Sequence, residues 1–320
     1  MNRQQILESI TLKKRFVKDC GLPITVFHEP YFSERLAIID RLFGCLEKWE
    51  IFCEGLEKFH DEQEYLEHYN AVKDAAIDHL KAKSEFEKFT NDSSYSKFQN
   101  KYPKRDVYIT DNINGSFISI DMRSANFSAL RRYDSALVDN KKTWEEFIAQ
   151  FTSVTHIVNS KYIRQVILGA CNPKKQIQFE LWLMHNLLDF IEHMVPDIKV
   201  YSLGVDEIIL YHPETYKNKS EAAEMVEQIK NCLNRHVVGS MVKFEEFYLE
   251  ELYQGGYQKV DMNNLDKVVF KCVDAETFHQ HVKRYYDEEI TDNDLVFYHN
   301  GVLARFLEPI PQYFCPIANS

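Results

Sequence analysis

Apolar positions along this 320-residue chain change period near residue 100. Before that point they recur at helical spacing. Ile6, Ile10, Leu12, Phe16 and Val17 fall mostly on one face of a helix over residues 2–19, and Gly21-Leu22-Pro23 ends it. Residues 23–28 form a short apolar strand candidate. Pro30 opens a second helix bearing Leu36, Ile38, Ile39, Leu42 and Phe43, which Gly44 bends or ends. From 46 to 89 the pattern is helical and heavily charged, with Glu and Lys at helical spacing, and predicts two or three helices packed as a hairpin. Thr90-Asn91-Asp92-Ser93-Ser94 reads as a loop and linker. The pattern predicts a mainly α-helical N-terminal domain over 1–100 and a second domain over 101–320.

In the second part strand-like runs alternate with helices. Residues 106–110 and 116–122 read as a hairpin around the turn residues 112–115. A helix follows over 126–133. Thr143 caps another, with Glu145 and Glu146 in its first turn, where the helix dipole favours acids. Ser160 caps a helix over 161–170, which Pro173 interrupts. Residues 174–194 are apolar on more than one face, as a central helix would be. Tyr201 to Tyr211 reads as strand, turn and strand, with Gly204 supplying the freedom a tight turn needs. Ser220 caps a helix to Asn234. Residues 241–253 and 267–273 are strands, 275–286 a helix, and Asn300-Gly301 marks a last hairpin between 295–299 and 302–306. The expected fold class is α+β, an antiparallel sheet backed by helices on one face.

Composition changes this picture little. A hydrophobic share of 45% with 27% charged residues fits a folded globular chain. There is no run of apolar residues long enough for a membrane span, and residues 1–5 lack the apolar core of a signal peptide. Seven scattered cysteines without a CxxC pair fit a reducing intracellular compartment, cytoplasm or nucleus, with viral origin left open, and give no zinc signal. Charge matters more. The chain carries −11, which argues against a protein that simply coats nucleic acid. Yet residues 101–175 hold 12 Lys and Arg against 7 Asp and Glu, a basic stretch on an acidic chain.

The candidate chemistry is acidic. Asp121 ends one predicted strand, and Asp206 with Glu207 sits in a strand turn 85 residues later. If these strands are neighbours, the carboxylates converge at one sheet edge. Convergent hard oxygens select Mg²⁺ or Mn²⁺, and two such ions support phosphoryl transfer. Phosphates then need cations. Lys161 and Arg164 share one face of the helix that Ser160 caps and are candidates for binding a nucleoside triphosphate. Lys174 and Lys175 form a basic turn that could touch a nucleic-acid backbone.

Three segments, in this order, resemble motifs of family-A DNA polymerases and the single-subunit phage-type RNA polymerases. Residues 120–131, Ile-Asp-Met-Arg-Ser-Ala-Asn-Phe-Ser-Ala-Leu-Arg, resemble the first palm motif. Residues 164–169, Arg-Gln-Val-Ile-Leu-Gly, resemble the fingers-helix motif. Residues 205–210, Val-Asp-Glu-Ile-Ile-Leu, resemble the second palm motif. The resemblance covers about residues 106–253. It implies a polymerase palm with a reduced, helical fingers-like insertion over about 123–195 and a C-terminal β/α extension. It further implies a nucleotidyltransferase that adds nucleotides to a nucleic-acid 3′ end by two-metal phosphoryl transfer. Asp121 and Asp206 would hold the metals, Glu207 would be an auxiliary acid, and Arg123 or Arg131 would position primer or template. The chain departs from the family in carrying Arg164 where Lys is usual and Val205 where His is usual.

Two other readings share these residues. One is a catalytically reduced palm-like nucleic-acid-binding or scaffold protein of a replication or transcription assembly, with protein partners on the N-terminal helices. The other is a different metal-dependent phosphotransfer enzyme, such as a nucleotide cyclase. His185, Asp189 and His193 lie at helical spacing but read as boundary residues, and Phe244, Phe247, Tyr248, Tyr253 and Tyr257 read as sheet packing.

Overall fold

The computed structural model describes residues 1–95, 101–253 and 255–310; the side chain of Tyr253 and Cys315 lie outside the described residues. The first part is helical: α1 Arg3–Glu8, α2 Ile10–Cys20, α3 Tyr31–Phe43, α4 Cys45–Leu56, α5 Glu62–Lys81 and α6 Ser84–Asn91. Ser9 splits the first expected helix in two. Its N–H closes α1 on the Gln5 carbonyl, and its hydroxyl caps α2 by accepting from the Leu12 N–H. Gly21 and Gly44 end α2 and α3 in the left-handed region, at φ +65° and +53°. The strand expected over 23–28 does not form. Ile24 and Val26 are buried there, but the segment pairs with no described strand. Lys13 Nζ donates to the Phe27 carbonyl at 3.1 Å, a hydrogen bond from a helix instead of a strand.

The second part contains β1 Ser116–Met122, then α7 Ala125–Tyr133, α8 Trp144–Ile148, α9 Thr155–Val158, α10 Lys161–Gly169 and α11 Pro173–Met194. It continues with β2 Val200–Leu203, β3 Glu207–Tyr211, α12 Lys219–Arg235, β4 Val242–Tyr253, β5 Gly256–Asp261, β6 Asn264–Lys271, α13 Phe278–Tyr285, β7 Val296–His299 and β8 Val302–Arg305. Six strands form one sheet in the order β2-β3-β1-β4-β5-β6, and β7 pairs with β8 separately. All the pairings are antiparallel. The fold class is therefore α+β, with helices against an antiparallel sheet.

Three local expectations are corrected. Residues 106–110 are not a strand, because β3 and β4 occupy both edges of β1. The segment instead crosses one sheet face, where Val107 packs with Phe117, Tyr201, Ile209 and Phe247. Tyr201 pins it by donating to the Asp106 carbonyl at 2.7 Å. Asn218, not Ser220, caps α12 by accepting from the Glu221 N–H at 3.0 Å. And β5 went unread. Its Lys259 and Gln258 dilute the apolar signal, and only its neighbours β4 and β6 make it a ladder.

Period-two alternation sorts the sheet into two faces. Ile118, Ile120 and Met122 of β1 join the main core, whereas Phe117, Ser119 and Asp121 face the other way. That main core runs continuously from Ile6 to Val282, so the N-terminal helices and the sheet share buried apolar residues. Helix α10 packs on α2 and α5, α9 on α4, and α13 on α3. Among the described residues no helix is long and apolar enough to cross a membrane. The cysteines at 20, 45, 53, 171, 232 and 272 are free thiols, and burial pushes that of Cys171 up to about 11.

Candidate active site

Asp121 stands directly opposite Glu207 of β3 and Lys243 of β4. Side chains opposite each other in a ladder share a face, so these three project together. The turn between β2 and β3 is tight. The Gly204 N–H donates to the Glu207 carbonyl at 2.8 Å, and a Cβ on Gly204 would sit 3.2 Å from that same oxygen. The Met122 N–H donates to the Asp206 carbonyl at 2.8 Å, which brings the end of β1 against the turn. The two acidic segments, 85 residues apart in sequence, thus meet at one end of the sheet.

The electrostatics follow from that meeting. Asp121 is half-buried, and burial, then the charges of Glu207 and Asp206, push its carboxyl up to about 6. Lys259 pulls in the opposite direction and Glu245 adds to the rise. Most neighbouring acids on this face are partnered. Glu207 accepts from the Ser119 hydroxyl at 2.5 Å. Glu245 is surrounded by Lys243 at 2.5 Å, Lys259 at 3.0 Å and Lys267 at 3.3 Å, and Lys267 also reaches Asp261 at 2.7 Å. Among the described residues the carboxylates of Asp121 and Asp206 receive no hydrogen bond or ion pair. The lysines of β4, β5 and β6 were not singled out in the sequence, because their common face exists only once the strands are in register.

Arg164 comes close to the same end. Its Nη1 donates to the Ser124 hydroxyl at 2.9 Å, three residues after Asp121. Burial lowers the Arg164 guanidinium from its ordinary value, and Glu145 partly offsets this. Helix α10, which carries Arg164, is fixed at its start. Ser160 accepts from the Ile163 N–H at 3.0 Å and donates to Asp19 at 2.9 Å, and Asp19 also accepts from the Tyr69 hydroxyl at 2.8 Å. Ser160→Ala removes the cap and one bond to a buried acid, and should cost about 1–2 kcal/mol in urea unfolding. An unchanged midpoint would mean that α10 is held by packing alone.

The remaining sequence candidates are less connected. Lys161 is exposed on the first turn of α10, with no hydrogen bond or ion pair to the acids among the described residues. Arg123 is exposed, while its N–H donates to the Met241 carbonyl at 2.8 Å. Arg131 and Lys174 are exposed. Lys175 is engaged structurally: its Nζ donates to the Asp92 carbonyl and lies 5.0 Å above the Tyr95 ring, joining α11 to the end of α6. His185 pairs with Asp189 at 2.9 Å, and Lys101 bridges Asp189 and Glu192 at 2.8 and 2.7 Å, a boundary network.

One acid went unnoticed in the sequence. Glu180 of α11 is only 3% exposed, and its Oε1 is sealed from solvent with no partner. Burial and the charge of Asp206 push its carboxyl up to about 7. The available signal was an acid flanked by Phe179 and Leu181 on the apolar side of the helix.

Among the described residues no three His, Cys, Asp or Glu side chains are gathered into a ready metal site. The donor chemistry nevertheless suits a hard divalent cation. The charge of Asp206 acts on both Asp121 and Glu180, and carboxylate oxygens are the donors that such a cation prefers. Comparison of the chain with protein-family models, with curated proteins and with solved structures finds no match.

Proposed function

We propose that this chain is a divalent-metal-dependent nucleotidyltransferase of the polymerase palm type, acting on a nucleoside triphosphate and a nucleic-acid 3′ end. One observation carries the proposal. Asp121 at the end of β1 and Asp206 in the adjoining turn lie together without partners, beside the helix that presents Arg164. Asp121 is half-buried, where an unpaired carboxylate is costly and is relieved by a cation, and the exposed Asp206 beside it is free to share that cation. In that role Asp121 and Asp206 hold Mg²⁺ or Mn²⁺, which when bound would neutralise phosphate charge and lower the barrier to attack. Arg164, braced by Ser124, supplies a fixed cation for the triphosphate. Ser119 fixes Glu207 beside Asp121 as an auxiliary acid. Lys243 and Lys259 lie on the same face but are held by Glu245, and so stand outside the cationic set. The exposed Lys161, Arg123, Arg131 and Lys174 are the candidates for the triphosphate and the nucleic-acid backbone, whereas Lys175 has a structural partner in the Asp92 carbonyl.

The test is calorimetry with Mn²⁺ and a nucleoside triphosphate, followed by extension of a labelled primer with and without template. Coupled binding and extension are expected, and both should be lost in Asp206→Ala. Absence of metal-dependent triphosphate binding by the intact chain would overturn the proposal. Binding of nucleic acid without extension would favour the scaffold alternative.

A further inference from the structure

We propose that the packed helices α2 and α10 form a docking strip for the phosphate backbone of single-stranded nucleic acid, built on Lys14, Arg15, Lys18 and Lys161. The strip extends the palm-type reading by naming a surface on the N-terminal helices for the strand. It is tested without metal or nucleotide, so either can fail alone. Charge on the two helices is one-sided. Together they carry six Lys or Arg and a single acid, Asp19, on a chain whose net charge is −11. Asp19 is 3% exposed and committed to the hydroxyls of Tyr69 at 2.8 Å and Ser160 at 2.9 Å. Of the six cations, Lys13 is buried against Glu29 at 2.5 Å, and Arg164 is braced by Ser124 at 2.9 Å. Lys14, Lys18 and Lys161 are exposed and Arg15 is half-buried, and none of the four forms an ion pair among the described residues. The adjoining α5 carries both signs, with Lys73 against Asp74 at 3.3 Å, and does not extend the strip.

Ring contacts hold the four together. Tyr162 of α10 lies under Lys18 Nζ at 4.3 Å and under the Arg15 guanidinium at 5.6 Å, which seats the α2 cations on the helix that begins with Lys161. Arg15 also lies 4.4 Å above the Tyr69 ring, and Lys14 lies 5.7 Å above Phe27. Long side chains restrained in this way lose less freedom when they meet phosphates. Lys14 and Lys18 stand one turn apart on α2, as do Lys161 and Arg164 on α10, so the strip leads toward the Arg164–Ser124 contact near the end of β1. Cations gathered without acids repel one another, and a polyanion relieves them. Alternating cations and rings suit a single strand, whose backbone needs charge and whose bases accept aromatic neighbours. A lipid surface would need an apolar face. Among the described residues α10 exposes no large apolar side chain, and α2 exposes only Ile10.

The experiment is fluorescence anisotropy of a labelled oligo-dT of about 20 nucleotides, in EDTA, across about 50–300 mM salt. The intact chain is compared with Lys14→Gln/Lys18→Gln, with the triple variant that adds Lys161→Gln, and with Lys58→Gln/Lys88→Gln/Lys219→Gln, which makes the same charge change at exposed sites elsewhere. Thermal melts verify that all are folded. The triple variant should lose about tenfold or more in affinity, and its logarithmic salt slope should fall by about two, with the double variant between it and the wild type. The control should stay within about threefold of the wild type, and Asp206→Ala should bind as the wild type does. Wild-type affinity in the triple variant, or an equal loss in the control, would overturn the strip and leave the palm-type reading standing. Tighter binding of a duplex of the same length would overturn the assignment to a single strand. Failure of the wild type to bind the oligonucleotide, with capture of phosphatidylserine vesicles instead, would overturn the choice of partner.

Discussion

Asp121→Asn should lower cation-dependent nucleotide transfer by about a thousandfold or more and, at the same time, stabilise the resting protein above pH 6. The two effects have one cause. Burial and the nearby Glu207 and Asp206 hold the folded-state Asp121 carboxyl up at about 6, against an ordinary value of 3.8. Between those values the folded chain keeps a proton that the unfolded chain has released. The stability this provides is complete below pH 3.8 and is lost as pH rises through 6. Above that, the wild type carries an unpaired charge that asparagine lacks. The shift corresponds to about 3 kcal/mol, which solvent reaching the half-buried site reduces to about 1–2 kcal/mol. Thermal melts of the two proteins between pH 4.5 and 8.5 should diverge as pH rises and reach a constant gap above about pH 7. Saturating Mn²⁺ should narrow that gap, because binding to the folded state stabilises the wild type selectively. Parallel melts across the whole range would show that Asp121 bears no electrostatic load. A tenfold or smaller loss of transfer would remove it from the chemistry.

Glu246→Ala should be among the most damaging single changes to stability, at about 2–4 kcal/mol. Glu246 neighbours Glu245 in β4 but faces the opposite way, under the helices. It is 8% exposed and accepts from His212 at 3.2 Å, Lys230 of α12 at 2.9 Å and Asn263 at 3.2 Å. Its removal leaves the buried His212 without that partner and unties α12 and the β5–β6 connection from the centre of the sheet. The pH dependence has the opposite sign to that of Asp121. The hydrogen bond from His212, with those of Lys230 and Asn263, holds the Glu246 carboxyl down at about 2, from 4.5. Its contribution is present above pH 4.5 and is lost as pH falls through 2. The deficit of Glu246→Ala in urea unfolding should therefore be full at pH 7 and shrink as acid protonates the wild type. A deficit independent of pH would assign the damage to lost packing.

These two acids differ by what surrounds them. Glu246 sits in a satisfied network, where charge supports the fold. Asp121 and Glu180 instead lack a partner, and burial pushes their carboxyls up to about 6 and about 7, which is the condition for recruiting a cation or keeping a proton. Glu245, ringed by three lysines, belongs to the first kind although it lies on the face of Asp121.

Local order decided what was legible in the sequence. Helix stops at Gly21 and Gly44, the Ser160 cap, Pro173 at the start of α11, the Gly204 turn and the Asn300-Gly301 hairpin depend on residues within a few positions of one another, and all appear where the pattern predicts them. The α+β class followed from the alternation of strand and helix periods, and the acids Asp121 and Asp206 were visible because each stands at the end of an apolar run. The tertiary structure decided which edges meet. Residues 106–110 have strand composition but no free edge of β1 to join, and β5 has a weak pattern but two edges to join. Strand pairing is a property of partners distant in sequence, so propensity alone cannot assign it. Glu180 is the clearest case. Its sequence context is a buried helix, and only the packing of α11 on β3 brings it within the field of Asp206, 26 positions later. The field at a carboxylate depends on the charges and solvent around it in space, and these are set when the chain folds.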